Sequence, residues 1–194
     1  MMHRAFQLVV WLLLGLIHID AQVINAGIAG NTSTQLLARI ENDVLKHKPD
    51  LVIVMVGTND MLNSRRMNTY KQYSSNLSEI VNKLKQNNAQ VVLLAPPPVD
   101  SIYLFERHDR TEFKELPNVK LDSVRHIVAR TARKNQVYFI DIFQKFQDLN
   151  LPKHNEDVFI MNPNNSAYRD GVHPTRLGNF FVAENVFNFL RKMI

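Results

Sequence analysis

Leu51-Val52-Ile53-Val54-Met55-Val56-Gly57-Thr58-Asn59-Asp60 is the stretch that decides the fold: six apolar residues without interruption, then a polar turn that opens on glycine. A strand exposed on one face would alternate apolar with polar residues, so an unbroken run predicts a strand buried on both faces, as in parallel sheets. Residues 91–95 have the same character, as do 137–142 apart from Asp141, and a shorter strand is predicted at 23–25. Between these runs lie stripes at helical spacing: Leu37, Ile40, Val44; then Leu77, Ile80, Val81, Leu84; then Leu121, Val124, Val128. A last stripe, Phe180, Ala183, Phe187, Leu190 and Ile194, predicts a C-terminal helix. Strands alternating with helices imply an α/β fold with right-handed crossovers and a mainly parallel sheet covered on both sides. In such sheets ligands gather at the carboxyl ends of the strands.

The chain of 194 residues is 45% hydrophobic, enough for one domain with a substantial core. It has no cysteine, which excludes disulfide scaffolds, cysteine-held zinc, iron–sulfur clusters and a thiol nucleophile. A nucleophile must therefore be oxygen or nitrogen. The net charge of +5 is spread along the sequence. The densest basic stretch, Arg125 to Lys134, is interleaved with Ile127, Val128 and Ala132, the pattern of an amphipathic helix with a solvated basic face, so no nucleic-acid partner is expected. Residues 1–21 differ from the rest: a short basic start, a largely apolar stretch at 5–17, and the small Ala21 at the end. They resemble a secretory signal peptide, implying export, with a membrane anchor at 5–17 as the alternative and a buried strand or helix as the plain structural reading. The apolar stretch is shorter than the roughly 20 residues that span a bilayer. The domain itself is then 22–194.

Three polar clusters fall where strands end. Asn25-Ala26-Gly27-Ile28-Ala29-Gly30-Asn31-Thr32-Ser33 follows the first predicted strand, and its glycines leave backbone N–H groups free to point outward. Its plain reading is a glycine turn and a Thr/Ser helix cap. It has no lysine at phosphate-loop spacing and is not the dinucleotide fingerprint. In Gly57-Thr58-Asn59-Asp60, Asn59 is expected at the sheet's carboxyl edge with its amide free to donate; otherwise Asn59 and Asp60 shape the turn and cap the next helix. Asp170-Gly171-Val172-His173-Pro174 sets a carboxylate three residues from an imidazole, close enough to fix its tautomer and leave the far nitrogen as a base. The plain alternative is an Asp-Gly turn beside an incidental histidine. The other histidines, His47, His108, His126 and His154 among them, have no such neighbour in sequence, and no two stand at metal-ligand spacing.

Taken together and in this order, the three clusters resemble the second, third and fifth blocks of the SGNH, or GDSL-type, hydrolases over residues 23–194. The resemblance implies a flavodoxin-like three-layer α/β/α fold and ester hydrolysis through a Ser-His-Asp triad. It assigns His173 as general base, Asp170 as its orienting carboxylate, and the Gly30 N–H and Asn59 amide as oxyanion donors. It implies no metal or organic cofactor. Its substrates would be small esters: an acylated sugar, a lysophospholipid or a short acyl ester. The pocket walls are expected from the loop that runs from Pro96-Pro97-Pro98 to Lys114.

The sequence departs from that pattern in its first block. Residues 1–32 contain no serine, so the Gly-Asp-Ser that carries the nucleophile is missing, and with it the central strand that block should end. Ser33 reads as a cap or first-turn residue rather than a substitute. Three readings follow: an ester hydrolase whose nucleophile segment has been lost between the N-terminal stretch and Val23, a non-catalytic relative that binds a glycan or lipid, and a scaffold with neither property. Asn31-Thr32-Ser33, Asn76-Leu77-Ser78 and Asn164-Asn165-Ser166 have the form of glycosylation acceptors.

Overall fold

The apolar run before Gly57 forms strand β1 (Leu51–Met55), which pairs in parallel with β2 (Gln90–Leu94); β2 pairs in parallel with β3 (Tyr138–Ile140). The computed structural model describes residues 22–193, so the stretch read as a leader or anchor and Ile194 lie outside the described residues. The sheet order is β1-β2-β3, with Val54 opposite Leu93 and Leu94 opposite Ile140.

Side chains alternate across a strand, and each face of the sheet finds its own helices. Val54, Val91 and Leu93 pack with Ile40 of α1 (Ser33–Asp43), Met61 of α2 (Thr58–Leu62), Leu77, Ile80 and Leu84 of α3 (Tyr70–Gln86), and Leu121, Val124 and Val128 of α5 (Pro117–Asn135). On the other face Val92, Leu94 and Ile140 pack with Ile142 and Phe146 of α6 (Ile142–Asp148), and with Phe181, Val182, Val186 and Phe189 of α7 (Arg176–Leu190). The short helix α4 (Ser101–Arg107) follows β2. The result is the expected three-layer α/β/α architecture with a small parallel sheet.

Several expectations need correction. Residues 23–25 form no strand: Val23 is 91% exposed, and Asn25 instead accepts from the Gly27 N–H at 2.9 Å in a local turn. A strand exists only through a pairing neighbour, and none stands beside these residues among those described. Nor is β1 buried on both faces. It is an edge strand among the described residues, and Ile53 and Met55 are half exposed on the α7 side, whereas Val91 to Leu94 of β2 are buried.

The C-terminal helix forms as predicted but is rotated away from the predicted stripe, of which Leu190 still packs against the core. Gly178 is buried where α7 crosses the Phe159 carbonyl, and that close approach orients Phe181, Val182 and Val186 towards the core. Phe180 and Phe187 point outward, 63% and 62% exposed. The helix is apolar on both sides, so periodicity alone could not choose the face. Pro96, Pro97 and Pro98 are buried, and Asn76 is buried in a hydrogen-bond network, which removes it as a glycosylation acceptor.

Candidate active site

The first cluster is a turn feeding a helix. Asn31 N–H closes on the Ile28 carbonyl at 3.3 Å, and Gly30 sits at φ +77° with open space around it, so glycine is needed there for the backbone conformation alone. Thr32 caps α1, with its N–H donating to the Gln35 side chain at 2.8 Å. The helix-cap reading thus holds, and Ser33 is the first residue of α1.

Ser33 is completely buried, and its partner is Asp60. The Ser33 N–H donates to both Asp60 oxygens at 3.1 and 2.9 Å, its hydroxyl donates to the same carboxylate, and the Asn68 amide donates at 2.7 Å. Asn76 in α3 donates to the Ser33 hydroxyl at 3.0 Å. Asp60 therefore caps nothing in its own helix; it bolts α1 to α2 across 27 residues of sequence. Next to it, Asn59 donates through Nδ2 to the Asn31 carbonyl at 3.2 Å. Gly57, at φ +135°, leaves room for the Val124 and Tyr73 side chains, which a Cβ would meet at 2.8 and 3.0 Å. The Tyr73 hydroxyl donates to the Val56 carbonyl at 2.8 Å, and burial, with the Asp60 charge second, raises its pKa. The structure thus brings Asn59 to the segment just after Gly30.

The third cluster forms a carboxylate–imidazole pair. His173 Nδ1 lies 2.9 and 3.0 Å from the Asp170 carboxylate oxygens, and that carboxylate also accepts from the N–H groups of Val172 and His173 at 2.8 and 2.6 Å. Burial pushes the Asp170 carboxyl up, but the His173 ring and the two N–H donors outweigh it and hold it at about 2. The bond to Asp170 raises the pKa of His173 against burial and the Arg107 charge. Nδ1 carries its proton towards Asp170, so Nε2 of the neutral ring keeps a lone pair, and the side chain is 63% exposed. The segment is pinned by main-chain bonds from Met161 N–H to the His173 carbonyl and from Gly171 N–H to the Met161 carbonyl, both 2.9 Å. Thr175 then caps α7 through the Gly178 N–H at 3.1 Å.

Two pairs therefore assemble, Gly30/Asn31 with Asn59 and Asp170 with His173. No hydrogen bond links one directly to the other among the described residues, and none joins His173 to a serine. Nor does any group of three acidic or histidine side chains there form a metal site. No described helix is long and apolar enough to cross a membrane.

The sequence reading missed three contacts. His154 Nδ1 meets the buried Asp100 carboxylate at 2.7 Å, Ser64 meets His108 at 2.8 Å, and Arg107 meets Asp170. Only the first could be sought as an Asp–His pair, and its members are 54 residues apart. A shallow groove between α3 and α5, lined by Tyr70, Ser74, Ser78, Ile127, Arg130 and Lys134, includes none of the residues of either pair.

Residues 11–179 match the model of the GDSL-like lipase/acylhydrolase family; the match starts within the stretch read as a leader. An acetylxylan esterase of Geobacillus stearothermophilus is 27% identical over 179 residues, spanning 89% of this chain and 72% of that protein. Esterase TesA of Pseudomonas aeruginosa is 35% identical over 88 residues, 44% of this chain and 42% of its own. Among solved structures, a lipase/acylhydrolase from Enterococcus faecalis superposes with a TM-score of 0.70 at 23% identity, covering 88% of this chain and 76% of its own. Structures of the Geobacillus enzyme described as catalytic mutants replace a serine, an aspartate and a histidine, the last two three positions apart.

Proposed function

Since this chain belongs to the GDSL-like lipase/acylhydrolase family, we propose that it acts on a small acyl ester, an acetylated carbohydrate first, with His173 as general base and Asp170 as its orienting group. Ester hydrolysis is the family's chemistry. The observation that carries the reading is the His173–Asp170 contact at 2.9 Å, with Nε2 free on the exposed side of the ring. It is supported by the same aspartate-to-histidine spacing in the catalytic mutants of the acetylxylan esterase. Gly30 N–H and the Asn59 amide are the oxyanion donors of this reading; Asn59 leaves the Asn31 carbonyl to serve.

In this reading the attacking oxygen comes from water rather than from a serine. Residues 1–32 contain no serine, and Ser33 is buried against Asp60. With no serine on His173 among the described residues, Nε2 draws a proton from water as that water's oxygen bonds to the ester carbonyl carbon. The carbonyl π electrons move to the oxyanion. Collapse breaks the carbon–alkoxy bond, and the imidazolium returns its proton to the departing alkoxide, leaving acid and alcohol. A second reading, ligand binding without turnover, is favoured by the Asn59 amide being already occupied.

The test is hydrolysis of p-nitrophenyl acetate and acetylated xylo-oligosaccharides by the full chain and by His173→Ala, with intact-mass analysis during turnover. With His173 as the base that takes the proton from water, slow hydrolysis that is lost in His173→Ala, and no acetyl adduct, are expected. Activity that survives His173→Ala overturns the reading. An acetyl-serine adduct overturns the water route, and saturable binding with no turnover selects the second reading.

A further inference from the structure

Helix α4 meets three consecutive residues of the acid–base segment. Glu106 holds the Arg169 guanidinium at 2.8 and 2.5 Å; Arg107 donates to the Asp170 carbonyl at 2.7 Å and stands 3.5 Å from its carboxylate; Asp100 N–H donates to the Gly171 carbonyl at 2.7 Å. Gly171, at φ +71°, lies so close to this helix that a Cβ would sit 2.8 Å from the Asp100 carbonyl oxygen and from Tyr103 Cβ. The residue after the helix, His108, bonds Ser64, which follows the helix that carries Asn59. The helix thus touches both the acid–base segment and the loop beyond the oxyanion candidate. Among the described residues, Arg107 is the one arginine or lysine in contact with Asp170.

We propose that Arg107 is a positioning residue for the Asp170–His173 pair: it anchors Asp170 through main chain and side chain together, and takes a share of the carboxylate charge that His173 would otherwise hold alone. The inference rests on reading that pair as the acid–base pair. A guanidinium is suited to the task because its planar fork reaches two acceptors at once, the carbonyl and the carboxylate of the same residue. The charged groups around His173 are few. Asp170 favours its protonated form and Arg107 opposes it, while Glu106 and Arg169 are engaged with each other. An Asp–His pair without the arginine would hold its imidazole protonated to higher pH, and a base must be unprotonated to work. Arg107 therefore keeps the pair aligned while moderating how strongly the carboxylate holds the imidazolium.

The experiment is an NMR titration of the His173 ring in the full chain, assigned with His173→Gln, for the native protein, Arg107→Met, Arg107→Lys and Glu106→Gln. Loss of the charge in Arg107→Met is expected to move the His173 midpoint upward. Arg107→Lys, which restores the cation, brings it back towards the native value, and Glu106→Gln leaves it in place. An arginine that only anchors the segment, without sharing the carboxylate charge, gives the opposite sign: the pair loosens in Arg107→Met and the midpoint falls towards that of free histidine. A fall or no change overturns the proposal. Should Arg107→Met fail to fold, Arg107→Gln carries the same test. Unfolding of both also overturns it, since the residue would then be holding the domain. The midpoint does not depend on turnover, so absence of ester hydrolysis defeats the functional reading and leaves this result standing or falling by itself.

Discussion

Asp170→Asn separates the charge of the Asp170–His173 pair from its shape. The amide keeps an oxygen to accept from the N–H groups of Val172 and His173 but removes the carboxylate that His173 Nδ1 meets at 2.9 Å. In the native protein the Asp170 carboxyl stands at about 2 against an ordinary 3.8, and His173 stands above its ordinary 6.5. A depressed carboxyl contributes stability that is present above pH 3.8 and lost as pH falls towards 2. A raised histidine contributes stability that is complete below pH 6.5 and lost as pH rises through its folded value. The pair therefore contributes fully only between about pH 4 and 6.5. Taken whole, the carboxyl's depression corresponds to about 2.5 kcal/mol, and solvent around the largely exposed His173 ring reduces that to about 1 kcal/mol. Urea unfolding of both proteins, followed by circular dichroism from about pH 3 to 9, reads the difference directly. The native protein should exceed the variant by about 1 kcal/mol in the window, by less near pH 3, and by a smaller remainder above the His173 midpoint, where the imidazolium charge is gone but the main-chain N–H groups, the neutral ring's Nδ1–H and Arg107 still favour the carboxylate. A difference that is flat with pH, or largest above about pH 8, refutes the reasoning.

Gly178→Ala places a Cβ 2.1 Å from the Phe159 carbonyl oxygen, so α7 must lift. Overpacking outweighs the gain in helix propensity, and a net loss of about 2 kcal/mol in urea unfolding is expected; a neutral result shows that α7 does not need that approach. Asp60→Ala leaves the Ser33 N–H, the Ser33 hydroxyl and the Asn68 amide without their buried acceptor, for a loss of about 3 kcal/mol or more, and a loss below about 1 kcal/mol counts against the network. Asn59→Ala should divide the two properties: about 10²–10³-fold less hydrolysis of an acetyl ester with stability lowered by at most about 1 kcal/mol, whereas equal rates rule Asn59 out as an oxyanion donor.

What the sequence made legible was local. The apolar runs named the three strands, but burial on both faces, the physical basis of such runs, holds for Val91 to Leu94 of β2 and not for Ile53 and Met55 of β1 or Tyr138 of β3. The stripes in α3 and α5 named their inward faces because polar residues occupy the opposite sides. Where a helix is apolar all round the rule fails, and α7 turned Phe181 and Val186 inward while Phe180 and Phe187 went outward. What chose the face is one backbone approach, Gly178 against Phe159, which periodicity does not register. Residues 23–25 failed for a related reason: two apolar residues suggest a strand, but a strand also needs a neighbour to pair with.

The same distinction runs through the candidate site. Asp170 and His173 could be paired on paper because three residues separate them and the turn between brings carboxylate to imidazole. The contacts that hold such fragments in place span far more chain: 27 residues from Ser33 to Asp60, 54 from Asp100 to His154, 63 from Arg107 to Asp170. Each joins residues of common type with no signature of their own, so only the folded chain reveals them. A motif in this architecture therefore specifies which groups can react, and long-range polar contacts specify whether those groups are held in a geometry that lets them. Asp60 does this on the side of Asn59 by fixing α1 against that residue's helix, and α4 does it for the Asp170–His173 pair through residues 170 and 171. Loss of either support should therefore leave the motifs intact in sequence while dispersing the site they describe.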